Sequence, residues 1–399
     1  MQHTTAAGPL KDIRILDLSS HFSGPFGTCV LADQGADVIK IEQPGYGDGT
    51  RYQAPMRNNL SATFAAINRN KRSLALDLRT KQGAAVLAEM IRQADVLVQN
   101  YRPGVMERLG FSYAEVRRLN PAIVYLSVSG FGPDGPYANR RAYDLTIQAL
   151  SGLADIQGGS SGIPDLVRTS VCDKLTGLLV AQGIASALCA RERDPERRGR
   201  HVRIAMLDAA VWFLWPDGML NHTFPDDGAP EADMGEYYRL RETRDGYLMV
   251  AMISQQEFEG VCRVLGVPEL ADDPRFASQA VRSQNLAALN AALAPLFAGQ
   301  DQDDLFGRLL AADVPVAKVS SRSDVLSDPQ LAHRGTIGIH HHPHAGAMRQ
   351  ARHPIEFGSD SPAADGPAPL LGEQSEDILH EFGFSPAQIN TLRRDNIIG

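Results

Sequence analysis

The stretch from Ile13 to Arg51, IRILDLSSHFSGPFGTCVLADQGADVIKIEQPGYGDGTR, constrains this chain more than any other. Ile13 to Leu18 is a short apolar run suited to a buried parallel strand. Gly24 and Pro25 punctuate it and open a helix through Ala32. Gly35 ends that helix, and Val38 to Ile41 forms the next strand. The order predicts a βαβ unit, and a parallel sheet gathers ligands beyond the C-terminal ends of its strands. Those ends carry Ser19 to Ser23 and Gly45 to Arg51. The second, with three glycines and a closing arginine, reads either as a phosphate cradle or as a plain flexible turn. The G-x-G-x-x-G spacing of dinucleotide sites is absent.

The alternation continues downstream. Ser73 to Leu76 reads as a strand, and Thr80 as the N-cap of a helix over Lys81 to Gln93. Asp95 to Gln99 is the next strand, and Ser112 with Glu115 forms a capping box. Ile123 to Val128 is a strand ending in the glycine-rich loop Ser129 to Gly135. This rhythm predicts an α/β fold with a large doubly wound parallel sheet. Asp173 to Arg193 is helical and dominated by small residues, so it is expected to pack closely on a neighbour. Pro216 to Pro230 reads as a linker. Beyond it, a strand at Gly246 to Ile253 and helices over Gln255 to Leu265, Asn285 to Leu296 and Asp304 to Ala311 predict a smaller α+β domain. The expected organisation is a large domain over 1–224, a small domain over 225–320, and a return segment over 321–399 that completes the large one.

Bulk properties exclude several classes. The net charge of -8 argues against a nucleic-acid partner, which needs clustered Lys and Arg. Cys29, Cys172, Cys189 and Cys262 are widely spaced and fit reduced thiols of a cytoplasmic protein. No apolar run is expected to reach the length needed to cross a bilayer, and no membrane partner is predicted.

Asp173, at the predicted start of the small-residue helix, is the leading catalytic candidate. The ordinary role for an aspartate there is N-capping. A helix N-terminus also stabilises a carboxylate anion, which keeps a nucleophilic carboxylate ionised. Tyr143 and Asp144 open another helix, with Arg141 beside them on an edge that can face a ligand. The run His340 to His344 has no acidic or sulfur ligand at useful spacing, so a solvated edge strand is expected and no metal site. The basic patch Asn68 to Arg72 reads as a solvated turn or as a docking point for an anionic cofactor such as coenzyme A. No G-x-S-x-G elbow or P-loop is present.

Taken together, GADVIKIEQPGYGDGTR, NRNKRSLALDL, ADVLVQNYRPGVMERLGF, NPAIVYLSVSGFGPDGPY, AYDLTIQALSGL and the aspartate of VCDKLTG resemble the class III coenzyme A-transferases over nearly the whole chain. This group includes formyl-CoA transferase and carnitine CoA-transferase. The resemblance implies that Asp173 is the covalent nucleophile. It implies CoA contacts at Leu76, Arg79, Asn100, Arg108, Leu109 and Arg141, with Tyr143 at the same site. It further implies two protomers threaded through each other as interlocked rings. Gln43 and Phe22 depart from the arginine and glutamine of formyl-CoA transferase, and the Phe22 position, near the acyl site, argues against oxalate and formyl-CoA as substrates. That enzyme's glycine-run loop has no counterpart over 225–245.

The implied reaction carries CoA from an acyl-CoA donor, succinyl-CoA as first choice, to a small carboxylic acid, a dicarboxylate as first choice. No permanently bound cofactor is expected, since CoA and acyl-CoA enter as substrates. The N–H groups beside Asp173 and in Ser129 to Gly135 are the expected oxyanion donors. Arg51, Arg140 and Arg168 are candidates for a distal carboxylate. Two other readings stand. A 2-methylacyl-CoA racemase would need an acid–base pair, and Tyr143 replaces the histidine of that group with a side chain of high unperturbed pKa. A non-catalytic CoA-binding subunit would need no Asp173.

Overall fold

The apolar runs form six strands of one sheet, β1 (Arg14–Asp17), β2 (Asp37–Glu42), β3 (Lys71–Ala75), β4 (Val96–Gln99), β5 (Val124–Ser129) and β6 (His201–Ala205). The structure, a computed structural model, describes residues 8–225, 234–358 and 366–399. The strand order is β3-β2-β1-β4-β5-β6, and every neighbouring pair is parallel. The order reverses between β1 and β4, so their C-terminal ends diverge and leave a crevice there.

Helices cover the strands as the capping residues direct. Helix α1 (Ser23–Ala32) follows β1, α2 (Ala62–Asn68) precedes β3, and α3 (Lys81–Arg92) joins β3 to β4. Thr80 caps α3 by accepting the Gly83 N–H at 3.0 Å. Ser112 and Glu115 close both halves of the expected capping box at the start of α4 (Tyr113–Leu119). Helices α5 (Asp144–Leu150), α6 (Val171–Arg193) and α7 (Met206–Gly218) complete this part of the chain. Helix α7 contains Pro216, so the expected linker begins later than its proline suggested. Residues 226–230 of that stretch lie outside the described residues.

The chain divides into two compact units. The first holds Met1–Ser151, Val167–Phe213 and Ala332–Gly399. Its largest apolar cluster combines strand residues Leu16, Ile39, Leu74 and Leu97 with Ile378, Leu379, Ile389 and Ile398 from the C-terminal segment. Ile398 bridges Leu76 at the end of β3. The second unit holds Gly152–Leu166 and Leu214–Leu331. There β7 (Arg241–Glu242), β8 (Tyr247–Val250) and β9 (Val316–Lys318) make an antiparallel sheet with β8 in the middle. Its core gathers Leu248 and Val250 with Phe258, Leu293, Phe297 and Leu309 from α8 (Gln255–Leu265), α9 (Leu286–Ala298) and α10 (Gln302–Ala311).

Three expectations need correction. The basic patch is neither solvated nor available to a cofactor. Lys71 and Arg72 begin β3, where Lys71 pairs with Asp17 at 3.0 Å and Arg72 with Asp37 and Glu381, each at 2.7 Å. Arg69 pairs with Asp33. The histidine run is only half solvated. His342 closes β10 (Ile337–His342), which pairs with β11 (Gly346–Ala351), and it is buried with Nε2 2.9 Å from the Ala368 carbonyl oxygen. Among the described residues no group of His, Cys, Asp and Glu is arranged to hold a metal ion. Helix α6, with 23 residues, is long and apolar enough by length and composition to cross a membrane, contrary to the reading of its sequence.

That apolar character is used in packing. Helix α6 crosses α1 at Gly27 and Gly177. A Cβ on Gly177 would lie 2.8 Å from the Ser23 carbonyl oxygen and 2.7 Å from Phe26 Cδ1. A Cβ on Gly27 would lie 2.6 Å from the Gly177 carbonyl oxygen. Only glycine permits this backbone approach. Gly177→Ala is therefore expected to destabilise the protein by about 1–3 kcal/mol through overpacking, despite the better helix propensity of alanine. A lowered urea midpoint with an unchanged slope is the expected reading.

Candidate active site

The crevice between the ends of β1 and β4 is a cleft of about 300 Å³. Its walls come from the loops at the strand ends: Ser20 to Ser23 after β1, Asn100 to Pro103 after β4, and Val128 to Gly130 at the end of β5. Arg140, Arg141 and Tyr143 close one side, and Asp173 of α6 and Met206 of α7 complete it. A larger cavity of about 460 Å³ lies against the β10–β11 hairpin, but its lining offers two arginines and no carboxylate or other nucleophile.

Buried charge shapes the first wall. Asp17, at the end of β1, is fully buried and accepts hydrogen bonds from Lys71 Nζ at 3.0 Å, Thr28 Oγ1 at 2.6 Å and the Ser19 N–H at 3.0 Å. Burial alone would raise its pKa, but Lys71, Lys40 and the Ser19 and Thr28 hydroxyls hold it at about 2. Lys40 donates to the Ser19 carbonyl oxygen and pairs with Asp48, both at 2.9 Å. Asn100 ties the loop to β4 through both ends of its amide: Ser20 N–H donates to its Oδ1 at 2.9 Å, and its Nδ2 donates to the Ser20 carbonyl oxygen at 2.7 Å.

The glycine loop serves the same framework, not an anion. Arg51 is buried, forks onto Glu42 at 2.9 and 2.6 Å, and stacks over Phe64 at 3.7 Å. Its guanidinium is thereby removed from the candidates for a distal carboxylate. The N–H groups of Gly47, Asp48 and Thr50 bond within the Glu42–Thr50 segment.

Asp173 lies in the first turn of α6, yet the N-cap residue is Ser170, whose side chain does not cap. The cap comes from another helix. Asp144, buried at the start of α5, accepts the Asp173 N–H through Oδ1 at 2.9 Å. Its Oδ2 accepts from Gln148 Nε2 at 2.5 Å. Gln148 also donates to the Val167 and Thr169 carbonyl oxygens and accepts the Val167 N–H, which fixes the segment leading into α6. The Asp173 carboxylate is thus available to the cleft, where Ser23 Oγ donates to its Oδ1. Burial raises the Asp173 pKa; the Ser23 hydroxyl, the Ser23 N–H and His21 oppose the rise, and the Asp144 charge adds to it. Beside it, the Cys172 thiol is pushed up to about 12 by burial and by the charges of Asp144 and Asp173, so it stays protonated at neutral pH.

Two expected oxyanion donors are already engaged, the Asp173 N–H by Asp144 and the Gly132 N–H by Ser129 Oγ at 3.0 Å. The start of α1, with its Ser23 hydroxyl and N–H, faces Asp173 instead. Of the residues singled out from sequence, Asp173, Asn100, Arg141 and Tyr143 line one cleft. Leu76 is buried in the core, Arg79 is paired with Asp77 at 2.7 Å, Arg108 ends the Val105–Arg108 turn, and Leu109 packs on the core; none of these four lines the cleft. Sequence reading placed Ser23 only within the strand-end segment Ser19 to Ser23, and missed Arg102 on the loop after β4.

A family model, CoA-transferase family III, matches residues 10–375. The chain belongs to that family. It is 36% identical over 399 residues to an acetyl-CoA:oxalate CoA-transferase of Acetobacter aceti, covering 97% of this chain and 100% of that one. It is 32% identical to a mouse succinyl-CoA:glutarate CoA-transferase (94% and 86% covered) and 30% identical to a formyl-CoA:oxalate CoA-transferase of Escherichia coli (98% and 99%). A CAIB/BAIF family protein from Brucella suis has the same fold at TM-score 0.80 and 31% identity, with 94% of this chain and 100% of that chain covered. The enzyme is a CoA-transferase, and CoA thioesters are its substrates.

A carboxyl with a raised pKa attacks only above that value. With Asp173 as the attacking group, the acid limb of kcat/KM for this CoA-transferase is expected above the ordinary aspartate value of about 3.9. Ser23→Ala removes a donor that favours the carboxylate, so the limb is expected to move to higher pH. A pH–rate series on both proteins checks the direction.

Proposed function

We propose that this CoA-transferase moves CoA between carboxylic acids by double displacement on Asp173. The supporting observation is the Asp173 carboxylate itself: capped from outside its helix by Asp144, bonded by Ser23, and lining a cleft at the sheet's reversal point. The Asp173 carboxylate attacks the donor thioester carbonyl, expels CoA thiolate and forms a mixed anhydride. The thiolate attacks the aspartyl carbonyl, releases the donor acid and leaves an aspartyl-CoA thioester. The acceptor carboxylate attacks that thioester, expels the thiolate and forms a second anhydride. The thiolate then takes the acceptor acyl group and frees Asp173. Every bond broken is matched by one formed, and water takes no part.

Arg102, Arg140 and Arg141 are the cations of the cleft. Arg140 stacks over Tyr137 at 3.8 Å. In this reading the three arginines bind CoA phosphates and a distal carboxylate, and Asn100 and Tyr143 border the thioester. Arg79 and Arg108, outside the cleft, would meet the far end of the extended CoA chain. A small dicarboxylate as acceptor is supported by the relatives that act on oxalate and glutarate. Phe22, on the cleft wall, favours an acceptor other than oxalate. The interlocked homodimer is part of the same reading, supported by exposed Trp212, Phe213 and Trp215 on α7. Four free cysteines support a reducing, cytoplasmic setting.

Asp173→Asn is expected to lower CoA exchange by roughly three orders of magnitude or more. The same change removes a carboxylate whose charge the fold disfavours, so the thermal midpoint is expected to stay level or rise. Incubation of the wild type with acyl-CoA and then hydroxylamine is expected to leave a hydroxamate on the Asp173 peptide, read by mass. Intact exchange in the variant together with an unmodified peptide rejects the assignment.

A further inference from the structure

Ser23 is held more firmly than a chance neighbour of the nucleophile would be. It is 3% exposed at the first position of α1. The glycine crossing clamps its backbone, since even a Cβ on Gly177 would press on its carbonyl oxygen at 2.8 Å. Met206 Sδ sits 3.8 Å from its hydroxyl. That hydroxyl donates to Oδ1 of Asp173, and to one oxygen only.

We propose that Ser23 sorts the two oxygens of the nucleophile, holding Oδ1 throughout the cycle so that Oδ2 alone makes and breaks bonds to acyl carbon. The inference rests on the double-displacement reading above. Its chemistry follows from tracing each oxygen. Oδ2 attacks the donor carbonyl and becomes the bridging oxygen of the anhydride as CoA thiolate leaves. When the thiolate attacks the aspartyl carbon, the bridging oxygen departs with the donor acid, and Oδ1 remains on the enzyme. An acceptor oxygen then bridges the second anhydride. It stays on Asp173 when the thiolate removes the acceptor acyl group. Each turnover thus replaces the Oδ2 atom, whereas Oδ1 is retained. Oδ1 is also where negative charge develops when the aspartyl carbonyl is attacked, and a donor already in place there stabilises that charge without reorganisation.

The test uses the full-length enzyme with unlabelled succinyl-CoA or acetyl-CoA and a large excess of oxalate, succinate or glutarate carrying a heavy oxygen isotope in both carboxylate positions. The pair that turns over is run for many cycles, and the Asp173 peptide is weighed. The expected wild-type peptide gains one heavy oxygen and stops there. In Ser23→Ala the carboxylate is free to turn over, and the peptide goes on to gain two. A wild-type peptide that gains two, or a Ser23→Ala peptide that stops at one, overturns the sorting role and leaves the covalent reading intact. Turnover with no label in either protein overturns the covalent reading itself. Should Ser23→Ala fail to fold, Ser23→Cys, whose thiol is a weak donor, takes its place in the same comparison.

Discussion

A buried cluster of charges holds the reversal point of the sheet, and the rest of the site is built outward from it. Asp17, Lys71, Lys40 and Asp48 lie at or below a few per cent exposure under the loop that follows β1. Lys40 and Asp17 grip Ser19 from two sides, and Asn100 grips Ser20. The loop can therefore deliver Ser23 to the start of α1 in one position. Buried pairs of this kind bring little net stability, but removal of one partner costs about 3–5 kcal/mol because the other is stranded. Their return is a unique geometry at a place where a β-turn of ordinary loop residues would wander.

From that fixed loop, two close contacts reach Asp173. The glycine crossing sets the distance between α1 and α6, so Ser23 and Asp173 meet across two helices. The Asp144–Gln148 pair sets the rotation and start of α6 by capping it from α5 and binding the segment before it. Asp173 is thus supported from the sheet, from a neighbouring helix and from its own lead-in. This arrangement also separates capping, which falls to Asp144, from the Asp173 carboxylate, which is left to the cleft and, in the proposed reading, to chemistry.

Local signals were readable in the residues themselves. Thr80, Ser112 and Glu115 cap helices through contacts three residues away, and the strands are contiguous apolar runs. Asp173 was legible as an anion at a helix start. What escaped was everything that depends on a distant partner. Lys71 and Arg72 read as surface charge because Asp17 and Asp37 stand 54 and 35 positions away. The Arg51 loop read either as a phosphate cradle or as a flexible turn, because the partner that fixes its arginine, Glu42, belongs to the preceding strand. Ser23 read as part of a turn, and its bond to Asp173 spans 150 positions. Asp144 read as the opening of its own helix, whereas it caps another.

The proximity of Asp144 to Asp173 has one more consequence. Asp144 accepts the Asp173 N–H, and both burial and the Asp144 charge work against the Asp173 anion. In the proposed cycle, conversion of Asp173 to an anhydride or a thioester erases that charge. On that reading the empty enzyme is the tense form and the covalently loaded one the relaxed form, a resting place able to wait for whichever acid arrives next.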